Sequence, residues 1–192
     1  MSEQLTRETI LDTAEQVLRR FGPEKTSVVD VARALKISHG TIYRHFPSKA
    51  SLREAVAERW LHAIIQPLQG VLKKDGSATE RLLKWVQTLI HIKHSLVKED
   101  PELFAMYTAL AEESVDVISA HISELVSQMV PFIQDGMANQ EFKSADAKET
   151  AKGIFIATAK FHHPAHAKEW ASPDIEEEFK LVWKVILSGI VN

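Results

Sequence analysis

Apolar residues recur three and four positions apart along nearly the whole chain, and no window alternates as a half-buried strand would. The pattern predicts helices from end to end. Ile10, Ala14, Val17, Leu18 and Phe21 form a first stripe, which Gly22-Pro23 ends. Ser27 is placed to cap a short helix bearing Val31, Ala32 and Leu35, with Asp30 three residues on to complete a capping box. Ser38 is placed to cap another that runs to Phe46. Pro47-Ser48 then opens a long helix carrying Leu52, Val56, Trp60 and Ile64, which Pro67 and Gly70 close. Ser77 with Glu80 marks the next start, ahead of Leu82, Val86, Leu89 and Ile90. Asp100-Pro101 opens a further helix, a cap followed by a first-turn proline. Ile118, Ile122, Leu125, Met129, Phe132 and Ile133 make a long stripe that stops near Gly136. Residues 147–161 and 175–190 read as the last two helices, the latter introduced by Ser172-Pro173. The expectation is an all-α protein of about nine helices without internal repeats.

Residues 27–46 add a function to this pattern. Two short amphipathic helices joined by Lys36-Ile37-Ser38-His39 have the spacing of a helix-turn-helix, whose second helix lies in the DNA major groove. Val31, Ala32, Leu35, Ile37, Ile42 and Phe46 are the inward positions. His39, Thr41, Tyr43, Arg44 and His45 face outward and carry groups that hydrogen-bond base edges or phosphates, and Gly40 lets backbone approach backbone. A helical hairpin in an ordinary all-α protein would show the same two helices.

Charge sharpens the division of labour. The 192 residues carry a net charge of −3, which argues against nucleic acid until the chain is split at residue 50. Residues 1–50 hold 8 Lys/Arg against 6 Asp/Glu and the rest 15 against 20, a basic head on an acidic body. The split gives a head of residues 1–50 and a body of residues 51–192. The chain has no cysteine, which excludes disulfides and thiolate metal sites. No run approaches the roughly 18 apolar residues of a membrane span, and the polar first residues show no secretion signal. The expected location is the cytoplasm.

The run Thr41-Ile42-Tyr43-Arg44-His45-Phe46-Pro47-Ser48-Lys49 with Leu52 resembles the signature of the TetR family of tetracycline-repressor-like regulators. Ser27-Val28-Val29-Asp30-Val31-Ala32 and Ile37-Ser38-His39-Gly40 extend the resemblance over residues 6 to 60. It implies an N-terminal three-helix DNA-binding domain, and a larger C-terminal helical domain that senses a ligand and dimerises. It also implies that Ser27 and Lys49 hold phosphates at two helix starts. Tyr43 and His45 would contact the backbone beside the groove, and Ser38, His39, Gly40, Thr41 and Arg44 would face bases or the nearest phosphates. Two positions depart from the family pattern. Val29 stands where Arg or Lys is frequent, and Lys36 where Gly is frequent at the turn. A left-handed backbone at Lys36 would cost on the order of 1 kcal/mol relative to Gly.

In the body, aromatic residues and methionines on facing helices line an apolar pocket or simply fill a core. The resemblance favours a pocket, with Trp60, Ile64, Trp85, Phe104, Tyr107, Met129 and Phe155 as its expected lining. Ile154, Ala157 and Phe161 with Phe179, Val182, Ile186 and Ile190 form broad apolar stripes on the last two helices. They serve an isologous dimer interface or close the monomer's own core. His91, His94, His121, His162, His163 and His166 raise a zinc or nickel sensor as an alternative, with a His-dependent enzyme more remote. Against both, Pro164 breaks the register of the His-rich run, and no nucleophile–base–orienter set is visible. The reading is a non-enzymatic transcriptional regulator without metal or cofactor. As a homodimer it would bind a near-palindromic double-stranded DNA operator as a repressor and leave it when a small-molecule effector binds.

Overall fold

The computed structural model describes residues 5–22, 27–71, 75–113 and 115–192. Its helices are α1 (Arg7–Phe21), α2 (Val28–Leu35), α3 (His39–Tyr43), α4 (Lys49–Gln69), α5 (Ala78–Glu99), α6 (Pro101–Glu113), α7 (Val115–Ala138), α8 (Ala147–Ala157), α9 (Ala159–His162) and α10 (Ile175–Ile190). Two single 3₁₀ turns, Pro164–His166 and Glu169–Ala171, join α9 to α10. The all-α expectation holds among the described residues. The chain forms two compact units, which divide it elsewhere than at residue 50.

The first unit comprises the chain to His62 and returns for Lys98–Val117. Ile10, Leu11, Ala14, Val17 and Leu18 of α1 are buried with Val28, Val31 and Ala32 of α2, Leu52 and Val56 of α4, and Leu103 and Met106 of α6. Thr6 caps α1 by accepting from the Thr9 amide at 3.1 Å. Gly22 ends the helix with a φ of 79°, a conformation that side chains resist; Pro23 lies outside the described residues. Phe21, placed by periodicity on the inward stripe, is exposed under the Arg20 guanidinium, because α1's last turn has run past the core. Arg59 of α4 ties down α1 through Glu8, Asp12 and Glu15 at 3.2, 2.8 and 2.7 Å. The Glu15 hydrogen bond, against the pull of burial and with help from Asp12, holds its guanidinium well above the ordinary value. Arg19 reaches Asp100, just ahead of α6, at 2.7 Å. These contacts explain why the first half of α4 and α6 belong with the head.

The second unit comprises Ala63–Val97 and Ile118–Asn192. Leu82, Trp85, Val86 and Leu89 of α5 are buried together with Leu125, Met129, Phe132 and Ile133 of α7 and with Ile154, Phe155, Phe161 and Trp183. The start of α5 has the predicted capping box: the Ser77 hydroxyl accepts from the Glu80 amide and Glu80 accepts from the Ser77 amide. Its first two amides, on Ala78 and Thr79, donate instead to the carboxylate of Glu141 at 3.1 and 3.2 Å. Burial pushes the Glu141 carboxyl up, but these amides, the Thr79 hydroxyl and Arg81 outweigh it and leave the group below its ordinary value.

Glu141 follows a tight reversal. Gln140 is left-handed at φ 60°, and the amides of Glu141 and Phe142 both return to the Gly136 carbonyl, at 2.8 and 3.0 Å. Phe142 then packs on Gly136 and pairs across to Val191.

Three element bounds differ from expectation. α3 ends at Tyr43 rather than Phe46, because His45 and Phe46 both donate to the Ile42 carbonyl ahead of Pro47. α4 continues through Pro67, which sits in its last turn. The helix expected over residues 147–161 breaks at Thr158, whose buried hydroxyl donates back to the Ile154 carbonyl at 2.9 Å.

Candidate nucleic-acid interface

The α2–α3 pair is assembled from three local devices. Ser27 and Asp30 form the capping box at the start of α2, the two backbone bonds measuring 3.3 and 3.1 Å. Asp30 is held below its usual carboxylate value, first by the Ser27 hydroxyl and further by Arg33 at 3.0 Å. At the other end, Lys36 stands at φ 56°, ψ 39°, with its amide bonded to the Arg33 carbonyl and the Ile37 amide to Ala32. This is the Schellman closure that glycine usually supplies. The turn at Lys36 is therefore left-handed, the case in which Lys costs stability relative to Gly. Lys36→Gly is expected to raise stability by about 0.5–1 kcal/mol, read as a higher urea midpoint at constant m; an unchanged or lower midpoint contradicts it.

The third device anchors α3. Ile42 and Phe46 are buried, the Phe46 ring lying 4.7 Å beneath the Arg7 guanidinium. Ser38 occupies the N-cap, but its hydroxyl pairs with that of Thr41 at 2.9 Å instead of capping an amide. With Ile42 and Phe46 turned inward, Ser38, His39, Gly40, Tyr43 and Arg44 are exposed, and Thr41 and His45 half-buried. Tyr43, 44% exposed, meets His39 edge-on at 6.3 Å. Val29 is exposed on α2, an apolar surface at the position where the family resemblance expects a cation.

α4 starts with a reciprocal pair that sequence reasoning missed, although its Ser-x-x-Ser spacing was visible. The Ser48 and Ser51 hydroxyls each accept from the other's amide at 3.0 Å. Lys49 is thereby held exposed in the first turn. Ser27 and Lys49 border one small gap with Val28, Leu52 and Met106, so the two expected phosphate-holding residues are neighbours. The Ser27 hydroxyl is engaged by Asp30 and meets a phosphate only by exchanging that bond.

The body residues separate by unit. Trp60, Phe104 and Tyr107 cluster in the first, with ring centroids 5.0 Å apart for Trp60–Tyr107 and 6.4 Å for Trp60–Phe104. Burial pushes the Tyr107 hydroxyl up to about 12. Ile64, Trp85, Met129 and Phe155 are buried in the second.

On the last helices, Ile154, Phe161 and Phe179 are buried within the chain, the two phenyl rings edge-on at 5.3 Å, and leave little area exposed. Ala157 stays exposed, and Val182, Ile186 and Ile190 half-buried. The apolar side chains that do face outward are Ile156, Leu181 and Val185, at 61, 66 and 71% exposure. Periodicity missed them because both faces of α10 are apolar.

The histidines do other work. His94 stacks on Trp170 at 4.6 Å and bonds the Phe161 carbonyl, whereas His91 is exposed. His166 pairs with Glu169 at 2.6 Å. His162 is buried between the Thr158 hydroxyl and the Phe155 carbonyl, each at 3.2 Å. Among the described residues no three His, Cys, Asp or Glu converge on a point suited to a metal.

A capped helix, a left-handed turn and a second short helix with an outward polar face define a helix-turn-helix unit of the DNA-binding kind. Residues 10–56 match the model for bacterial regulatory proteins of the tetR family, and residues 78–183 that for the tetracyclin repressor-like C-terminal domain. The chain belongs to the TetR family. It is 28% identical over 105 residues to an HTH-type transcriptional regulator of Mycobacterium tuberculosis, covering 55% of this chain and 50% of that protein. The chain thus spans about half the length of that relative. The fold is shared with SmeT, the repressor of the Stenotrophomonas maltophilia multidrug efflux pump SmeDEF, at TM-score 0.69 and 20% identity over 98% of this chain and 92% of that one. It is also shared with the regulator FadR of Bacillus subtilis, solved with stearoyl-CoA, at TM-score 0.69 and 18% identity over 96% and 99%. No described helix is long and apolar enough to cross a membrane.

Proposed function

We propose that this chain is a transcriptional repressor that reads operator DNA with residues 1–50 and senses a small molecule with residues 51–192. The observation carrying this reading is the α2–α3 pair: Ile42 and Phe46 bury one side of α3, and Ser38, His39, Gly40, Tyr43 and Arg44 are left facing outward. Lys49 and Ser27 flank them at two helix starts, where backbone amides and a cation favour phosphate. Two copies bind together, joined through the exposed apolar faces of α8 and α10, and place their heads on half-sites about 34 Å apart or a multiple of it. Ligand binding in the body favours a conformation mismatched to the operator, with a coupling of about 1–3 kcal/mol. SmeT, named as a repressor, and FadR, solved with a ligand, support the reading by analogy of fold.

The test is selection of genomic fragments by the purified protein, followed by binding titrations at several salt concentrations. Near-palindromic fragments with two half-sites are expected. Lys49→Ala is expected to weaken binding to every sequence alike and to reduce the salt slope by about 1. Arg44→Ala is expected to relax preference at particular base pairs by about 1–3 kcal/mol each. No binding to any duplex at low salt, or Lys49→Ala binding with unchanged affinity and slope, would overturn the assignment.

A further inference from the structure

Within the second unit, two stripes of polar residues face each other across an open groove of about 540 Å³, a volume suited to a small molecule. One stripe is Gln66, Gln69 and Gly70 at the end of α4; the other is Glu124, Ser127, Gln128 and Pro131, at positions i, i+3, i+4 and i+7 of α7.

Gln128 differs from an ordinary surface residue. It is 6% exposed, beside buried Leu125, Met129 and Phe132 on the same helix. The indole N–H of Trp85 donates to its Oε1 at 3.2 Å. Indole only donates, so this bond orients the amide: the oxygen faces Trp85 and the Nε2 amino group is turned away. That nitrogen is buried and meets no acceptor among the described residues. A buried amide donor left in this condition is destabilising in the free protein, and a bound acceptor would relieve it.

We propose that the groove is the effector site, and that Gln128 Nε2 donates to an acceptor oxygen of the bound molecule. This rests on the body being the sensor. Glu124 stands one helical turn from Gln128, about 6 Å along α7, exposed on the groove wall. Its charge disfavours a carboxylate and favours an ammonium or another donor. The ligand class is therefore an uncharged or cationic molecule with a carbonyl-type oxygen about 6 Å from a donor nitrogen. Ser127 and Gln69 border the polar middle, and Pro131 offers the apolar rim.

N-acetylputrescine carries an amide oxygen and an ammonium at such a separation, and serves as the probe. Putrescine lacks the acceptor, and N-acetyl-4-aminobutyrate replaces the cation with an anion. Titrated into the full-length protein, N-acetylputrescine is expected to bind saturably and to shift the Gln128 side-chain amide and Trp85 indole proton resonances. Binding of putrescine is expected to be at least tenfold weaker, and of the anion weaker still. Gln128→Glu keeps an acceptor for Trp85 but removes the donor, and Gln128→Met removes both; each is expected to lower probe affinity at least tenfold while the far-UV spectrum is retained. Probe binding that leaves the Gln128 resonance unmoved, equal binding of the anion, parental affinity in both variants, or no binding of the probe overturns the site. Operator affinity is measured in parallel: if the probe binds through Gln128 and no duplex is ever bound, the site stands and the repressor reading falls. If duplex binding stands and Gln128 proves irrelevant to the probe, only the site falls.

Discussion

Lowering the pH from 6.5 to 5 is expected to remove about 3 kcal/mol of folding stability, through His121 and His162 alone. Burial, then the charge of Lys93, lowers His121 to about 3. The same two causes lower His162 to about 3 against the opposing bond to the Phe155 carbonyl, with a small further push from His163. In the unfolded chain both imidazoles take up a proton near 6.5, whereas the folded protein refuses it down to about 3. Between these values the unfolded state binds more protons, so stability falls as pH falls. Each residue contributes up to about 1.4 kcal/mol per pH unit. Lys93, lowered to about 7 by burial, is mostly charged across this window and opposes protonation of its neighbours. His163, lowered by burial, then by His166 and Lys93, adds the same sign. Few carboxylates titrate above pH 5, so the slope in this range belongs to histidine. Urea unfolding at half-unit pH steps measures it. A flat profile from 6.5 to 5 contradicts the buried neutral state, and His162→Gln is expected to halve the slope.

Gly136→Ala is expected to destabilise the protein by about 2 kcal/mol despite the better helix propensity of alanine. A Cβ at residue 136 would overlap three carbons of the Phe142 ring, Cδ2, Cε2 and Cγ. The ring is buried, and its amide is bonded back to the Gly136 carbonyl, so it has little freedom to withdraw. Displacing Phe142 also disturbs Glu141 on α5 and the pairing to Val191. The measurement is the urea midpoint of the single variant beside Gly136→Ala combined with Phe142→Leu. The double variant should recover part of the loss relative to the sum of the two single changes. A Gly136→Ala protein as stable as the parent would mean that helix propensity outweighs the contact.

What could be foreseen from the chain was what neighbours in sequence decide. Ser27–Asp30 and Ser77–Glu80 are reciprocal caps three residues apart, whereas Lys36 drew attention only because the family resemblance places Gly at that turn. The outward face of α3 follows from the same short-range logic, since Ile42 and, just past the helix, Phe46 are the large apolar residues that anchor it. Long-range partners were out of reach: Arg59 meets carboxylates 44 to 51 positions away. The faces of α8 and α10 were ambiguous because Phe179 and Val185 are equally apolar, and only packing decides which is covered. Thr158 shows a third limit, a helix broken by one hydroxyl within an unbroken apolar rhythm.

The Glu141 carboxylate has a consequence for the nascent protein. Ala78 and Thr79 depend on a residue 63 and 62 positions downstream. At about 5–20 residues per second of synthesis, that partner emerges roughly 3–12 s after the first residues of the helix it completes. Until then the Ser77–Glu80 pair alone holds the beginning of α5, and two bare amides remain open to solvent or to a passing chaperone. A ribosome paused within this interval would therefore expose a frayed end that vanishes once the hairpin at residues 139–142 has closed.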